Sequence, residues 1–139
     1  MGFVLDSSVA LAWLLPDEGS AAVDALADRL ERESADVPAI WSLEVANALI
    51  TAMRRARIAK ADVDASLAAL AALAALPIRP DQAVGPEELT AVVALAARHA
   101  LTTYDASYVE LAQRRQLPLA TLDRKLREAC AVAGVPVLP

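Results

Sequence analysis

A chain of 139 residues, 57% of them hydrophobic, is no disordered polymer and is long enough to bury a core as one domain spanning 1–139. Its formal net charge of −5 argues against nucleic-acid binding by bulk electrostatics, which uses a basic face; any such contact needs something that cancels the charge locally. The single cysteine, Cys130, can form neither an intramolecular disulfide nor a zinc site by itself and reads as a small buried hydrophobe on the last helix.

In chain order, "FVL" (3–5) is a short β-rich run, and "SSVALAWLL" (7–15) predicts a helix stopped by Pro16. "SAAVDALADRLERE" (20–33) predicts a second helix, with Val23, Leu26, Ala27 and Leu30 as its apolar stripe. "VPAI" (37–40) reads as a strand with Pro38 near its start, followed by helices over about Ser42–Arg57 and Ala61–Ala75. "LPIRP" (76–80) reads as a strand, and "PEELTAVVALAARHA" (86–100) as a helix opened by Pro86 and the acids behind it. A helix from Asp105 to about Arg115, a strand in "PLAT" (118–121), a helix over 123–133 closed by Gly134, and a last strand in "VPVL" complete the chain. Short apolar strands alternating with longer helices predict an α/β fold with parallel pairing through crossover helices. The longest apolar run, "LAALAALAAL" (67–76), is too short to cross a bilayer, and the N-terminus has no basic leader. A cytoplasmic protein with no membrane role is expected.

Most of the 18 acidic residues lie on polar helix faces. Four do not. Asp6, Asp105 and Asp123 each stand where a helix begins, and Glu44 lies in the first turn of the helix after "VPAI", between Leu43 and Val45. For the aspartates, helix capping is the ordinary role. Glutamate is not a typical cap, and Glu44, Asn47 and Thr51 share one polar stripe on an otherwise apolar helix. Strand-end junctions of an open parallel sheet fall along one edge, where ligands bind, so all four acids can meet. Two carboxylates 4 Å apart repel by about 4 kcal/mol at an effective dielectric of 20, so such a cluster must protonate or bind cations. Oxygen ligands without histidine or cysteine suit one or two Mg²⁺ or Mn²⁺ ions, as in sites that cleave phosphodiesters.

"FVLDSSVALAWLLPDE", "VPAIWSLEVANAL", "LTTYDASYVELA" and "LATLDRKL" resemble, in order, the four acidic motifs of the PIN domain family, most nearly its VapC toxins of bacterial toxin–antitoxin pairs. The likeness covers essentially the whole chain. It implies a three-layer α/β/α fold with a central, mainly parallel sheet. It also implies that Asp6, Glu44, Asp105 and Asp123 are the catalytic, metal-binding acids, with Asp6 and Asp105 the most direct ligands. Ser8 and Thr121 match the motif hydroxyls that steady the site, and Asn47 a polar neighbour of the glutamate. The implied activity is endoribonuclease cleavage of a structured cellular RNA, of the tRNA or rRNA class, by metal-activated water, leaving a 5′-phosphate and a 3′-hydroxyl. A VapB-like antitoxin partner and a homodimer follow from the same likeness, and the apolar first helix with Trp13, Leu14 and Leu15 offers a dimer surface.

RNA also needs basic contacts. "RRAR" (54–57) with Lys60, Arg114 with Arg115, and "RKLR" (124–127) are candidates. Arg114 and Arg115 read better as a solvated helix end; Arg124 and Lys125, directly after Asp123, are the better phosphate contacts. His99, at a helix C-terminus, has no catalytic role, and Trp13 and Trp41 are core or interface anchors. Phosphotransfer on a nucleophilic aspartate fits poorly, because the haloacid dehalogenase pattern wants a second aspartate where Ser8 stands. Two other readings keep the same acids: a nuclease of RNA maturation without an antitoxin, and an antitoxin-binding module with little hydrolysis, whose partner reaches the acids with an arginine.

Overall fold

The computed structural model describes residues 1–15, 17–55, 59–82 and 84–139. Along them run β1 (Phe3–Leu5), α1 (Ser7–Leu14), α2 (Ala21–Arg29), β2 (Ala35–Val37), α3 (Trp41–Arg54), α4 (Lys60–Leu73) and β3 (Ile78–Pro80). They continue with α5 (Pro86–His99), α6 (Thr103–Arg115), β4 (Leu119–Ala120), α7 (Arg124–Ala133) and β5 (Val137–Leu138). The strands form one parallel sheet in the order β3-β2-β1-β4-β5, flanked by the helices in the expected three-layer α/β/α arrangement.

β1 is the centre of the sheet. Phe3 and Val4 pair with Ala35 and Asp36 of β2, and Val4 and Leu5 pair with Leu119 and Ala120 of β4. All three β1 residues are fully buried, which is why "FVL" shows no polar alternation. From β1 the chain lays β2 and β3 on one side, then returns to lay β4 and β5 on the other. The crevice outside the carboxyl ends of β1 and β4 is therefore a topological switch point, where open α/β sheets bind ligands. Helix α6 packs on both β1 and β4, sending Tyr108, Leu111 and Ala112 into the same core as Phe3, Leu5 and Leu126.

Element ends depart from the pattern reading: α6 begins at Thr103, not Asp105, the outer strands are shorter than expected, and β2 and α2 differ most. β2 lies at Ala35–Val37, not at 37–40: the Pro38 carbonyl accepts the Trp41 N–H, closing a turn that starts α3. The pattern missed Ala35–Val37 because Asp36 interrupts it. That aspartate is buried in the strand, with Arg79 and Arg115 as its partners. Helix α2 ends at Arg29 rather than Glu33, since the N–H groups of residues 30–32 bond three residues back as the chain tightens toward β2. The expected stop at Pro16 and the expected end of α3 at Arg57 fall outside the described residues. Leu15 is extended at φ −94°, ψ 132°, as a residue preceding proline prefers. Gly134 closes α7 at φ +76°, a left-handed conformation that costs glycine nothing. Among the described residues no helix is long and apolar enough to cross a membrane.

Candidate acidic site

Three of the four singled-out acids stand at the start of a helix, yet they are not used alike. Asp6 follows β1 and occupies the N-cap position of α1, but its side chain makes no capping hydrogen bond. Its Oδ2 instead accepts from the Ser8 hydroxyl at 2.6 Å and from the Thr121 hydroxyl at 2.7 Å. Asp105 is the third residue of α6, whose cap is Thr102: the Asp105 N–H donates to Thr102 Oγ1 at 3.1 Å. Only Asp123 caps by its carboxylate, accepting the Leu126 N–H at 3.1 Å. Capping therefore explains Asp123 and leaves Asp6 and Asp105 without that role. Glu44 lies in the first turn of α3, and its Oε1 accepts from the Tyr108 hydroxyl at 2.5 Å.

The acids share one electrostatic neighbourhood. Asp6 is 3% exposed; burial pushes its carboxyl above the usual range, Ser8 and Thr121 pull it back, and Asp123 raises it again. Burial also raises Glu44, with Tyr108 opposing and Asp6 and Asp105 adding repulsion. Asp105 is raised first by burial, then by Asp123 and Asp6, with Thr102 and Lys125 lowering it. Residues 18 to 117 positions apart in sequence thus repel one another across the carboxyl edge of the sheet. Among the described residues no group of three or more His, Cys, Asp or Glu side chains is already positioned to hold a metal ion. The acids converge within range of charge repulsion, short of shared ligation.

The hydroxyls stitch the site together. Ser8 Oγ also accepts the Leu122 N–H at 3.0 Å, and Thr121 Oγ1 accepts the Asp123 N–H at 3.0 Å. The start of α1 is therefore tied to the segment that carries Asp123. Thr121 is fully buried. Asn47 is exposed one turn beyond Glu44, and no hydrogen bond joins it to the acids among the described residues. Lys125 lies close enough to stabilise the Asp105 carboxylate, whereas Arg124 turns along α7 to pair with Glu128 at 3.0 Å. Arg54, Arg55 and Lys60 are exposed; Arg57 lies outside the described residues. Arg114 and Arg115 lie at the exposed end of α6, as expected, but are also ion-paired: Arg114 grips Glu110 and Asp81, and Arg115 reaches Asp81 and Asp36. Trp41 belongs to the core, and Trp13, packed against it, donates to the Val23 carbonyl at 2.9 Å.

Pattern reading missed Tyr108. Its only signal is position: it follows Asp105 by three residues, on the same side of α6. A cavity of about 650 Å³ opens at the other edge of the sheet, lined by Gly2, Ser34, Pro77 and Leu117, which precede strands. Its buried acid, Asp36, is already matched by arginines, and it holds none of the four acids.

A parallel α/β domain with carboxylates gathered near its switch point is the class that fold and site define. The PIN domain model matches residues 3–132, and the chain belongs to the PIN domain family. It is 34% identical over 129 residues to the Pyrobaculum aerophilum protein "Ribonuclease VapC3", covering 92% of this chain and 94% of that one. The crystal structure of PAE2754, also from Pyrobaculum aerophilum, is similar at TM-score 0.69 and 25% identity, over 99% of this chain and 84% of that one. A toxin–antitoxin complex from Klebsiella pneumoniae shares the fold at TM-score 0.62 and 17% identity, over 99% and 96% of the two chains.

Proposed function

We propose that this protein is a divalent-cation-dependent endoribonuclease, the toxin member of a toxin–antitoxin pair. One observation carries the reading: Asp6, 3% exposed and not used as a cap, sits at the switch point within repulsive range of Asp123 and Glu44. Keeping a buried carboxylate ionised among like charges is costly, and a cation offsets that cost. The family match and the ribonuclease name of a 34% identical relative support the nuclease activity. The likeness to a toxin–antitoxin complex supports a VapB-like antitoxin as partner.

The side chains fit Mg²⁺ or Mn²⁺ by their chemistry. The donor set is all oxygen, and Ser8 and Thr121 both occupy Oδ2 of Asp6, leaving Oδ1 without a side-chain donor among the described residues. When bound, one or two such ions supply the missing positive charge, activate water and offset charge on the transferring phosphoryl group. Asp6 and Asp105 would be the direct ligands, with Glu44 and Asp123 completing the shell. Ser8 and Thr121 fix the rotamer of Asp6, so its Oδ1 is presented in one direction. Asn47, one turn beyond Glu44, meets the substrate side of the pocket. Lys125, beside Asp105, receives an RNA phosphate; Arg124, held by Glu128, is left an outer contact. The substrate is a structured RNA of the tRNA or rRNA class, and the protein acts as a homodimer.

The test is cleavage of total tRNA and rRNA by purified protein with Mg²⁺ or Mn²⁺. Wild type should cut and leave 5′-phosphates, chelator should stop it, and Asp6→Asn and Asp105→Asn should each lose at least 100-fold, a loss typical of a group that stabilises transition-state charge. Equal cleavage by wild type and both variants would assign the activity to a contaminant. Sequencing the 5′-phosphate ends after brief induction identifies the RNA.

A further inference from the structure

Tyr108 is fully buried, among the largest side chains to be so. Its ring belongs to the core with Leu111 and Leu126, yet its hydroxyl emerges at the acidic site. There it donates to Glu44 Oε1 at 2.5 Å, across 64 residues of sequence. Among the described residues no other side chain hydrogen-bonds to Glu44. Asp6 is held by two short hydroxyl side chains, whereas Glu44 is held by one hydroxyl mounted on a rigid ring.

We propose that Tyr108 is a positioning residue: it fixes the Glu44 carboxylate by occupying Oε1, so that Glu44 offers Oε2 alone to a divalent cation. This rests on the metal-dependent reading of the site. The physical basis is that a carboxylate on a glutamate has three rotatable side-chain bonds, and an unfixed one must be ordered each time it binds. A hydrogen bond from a core-anchored phenol removes that cost beforehand. It also discourages Glu44 from chelating with both oxygens, which favours an octahedral ion with separate ligands over a larger ion that accepts bidentate carboxylates. Outer partners of metal ligands typically change affinity by 10–100-fold when removed. The plain alternative is that the phenol merely needed a buried partner and Glu44 was nearest.

Tyr108→Phe separates the two, since it deletes one oxygen and keeps the ring. Mn²⁺ binding to the purified full chain is followed by calorimetry, alongside Ca²⁺ binding and RNA cleavage across a Mn²⁺ titration. The expected result is Mn²⁺ affinity weakened roughly ten-fold or more, cleavage restored at higher Mn²⁺, and a smaller preference for Mn²⁺ over Ca²⁺. In a Glu44→Gln background the same change should alter Mn²⁺ affinity less than two-fold, because the coupled partner is gone. Unchanged Mn²⁺ affinity in Tyr108→Phe, with or without a lower Tm, overturns the positioning role, as does an equal loss in the Glu44→Gln background. Wild-type protein that neither binds Mn²⁺ nor cleaves RNA overturns the nuclease reading itself, a different result from an unaffected Tyr108→Phe beside an active wild type.

Discussion

Asp6 is the acid most removed from water, at 3% exposed, and its surroundings work against its charge. Burial and the Asp123 charge raise its carboxyl, and the hydrogen bonds from Ser8 and Thr121 offset only part of that. Glu44 and Asp105 are shifted the same way. The sign of the pH dependence follows. A carboxyl raised in the folded state keeps its proton after the unfolded chain has released one, so folding is favoured at low pH and weakened as pH rises. The window opens at the ordinary values of 3.8 for aspartate and 4.5 for glutamate and extends upward. In chelator, Tm should therefore fall as pH increases through that window, and Asp6→Asn should flatten the slope. At pH 7 the same variant should melt higher than wild type, by about 4 °C for each kcal/mol of relieved strain in a domain of this size. Calorimetric melts between pH 4 and 8 with EDTA check both, and a lower Tm for Asp6→Asn at pH 7 would refute the strain. An acid kept at a cost in stability is the expected form of a stability–function conflict.

The helices assign the acids different mechanical duties. Thr102 caps α6, which frees the Asp105 carboxylate, while Asp123 both caps α7 and faces the other acids. These two duties of Asp123 separate by substitution. Asparagine caps as well as aspartate, whereas alanine forfeits about 1 kcal/mol. Asp123→Asn should hold the wild-type Tm in chelator to within a degree or two and yet cleave RNA poorly. Asp123→Ala should lose both, and the pair of melts and cleavage rates decides it. If Asp123→Asn cleaves like wild type, the residue is a cap and nothing more. The far end of α6 is anchored as firmly as its start. Glu110, Arg114 and Arg115 join Asp36 of β2 and the neighbouring Asp81 in one ion-pair network, with Arg79 of β3 on Asp36. Both Asp36 and Glu110 are buried, and such acids are tolerated inside only when paired. The arginines at this exposed end thus fasten the helix that delivers Asp105 and Tyr108.

For the whole molecule, a cation that binds only the folded chain adds stability by mass action, about 2.7 kcal/mol at a hundred-fold excess over its Kd. Mn²⁺ or Mg²⁺ should accordingly raise Tm progressively in wild type and little in Asp6→Asn or Asp105→Asn, measured by melts across a metal titration; equal rises in all three would place the ion elsewhere. Much of this was legible along the chain. The apolar periods marked α1, α5 and α7, "FVL" marked β1, and the isolated acids stood out against helices whose other charges face water. Such signals are local: a side chain's neighbours within one turn or one strand fix its face before the rest of the chain is placed. β2 escaped because Asp36 is tolerable in a buried strand only through Arg79 and Arg115, more than forty residues away. Tyr108 escaped because its partner Glu44 lies on another helix. Sequence by itself determined which residues carry charge and which faces are apolar. Only the tertiary structure decided which charges meet, because that depends on the β1–β4 crossing and on loop paths that no local pattern encodes.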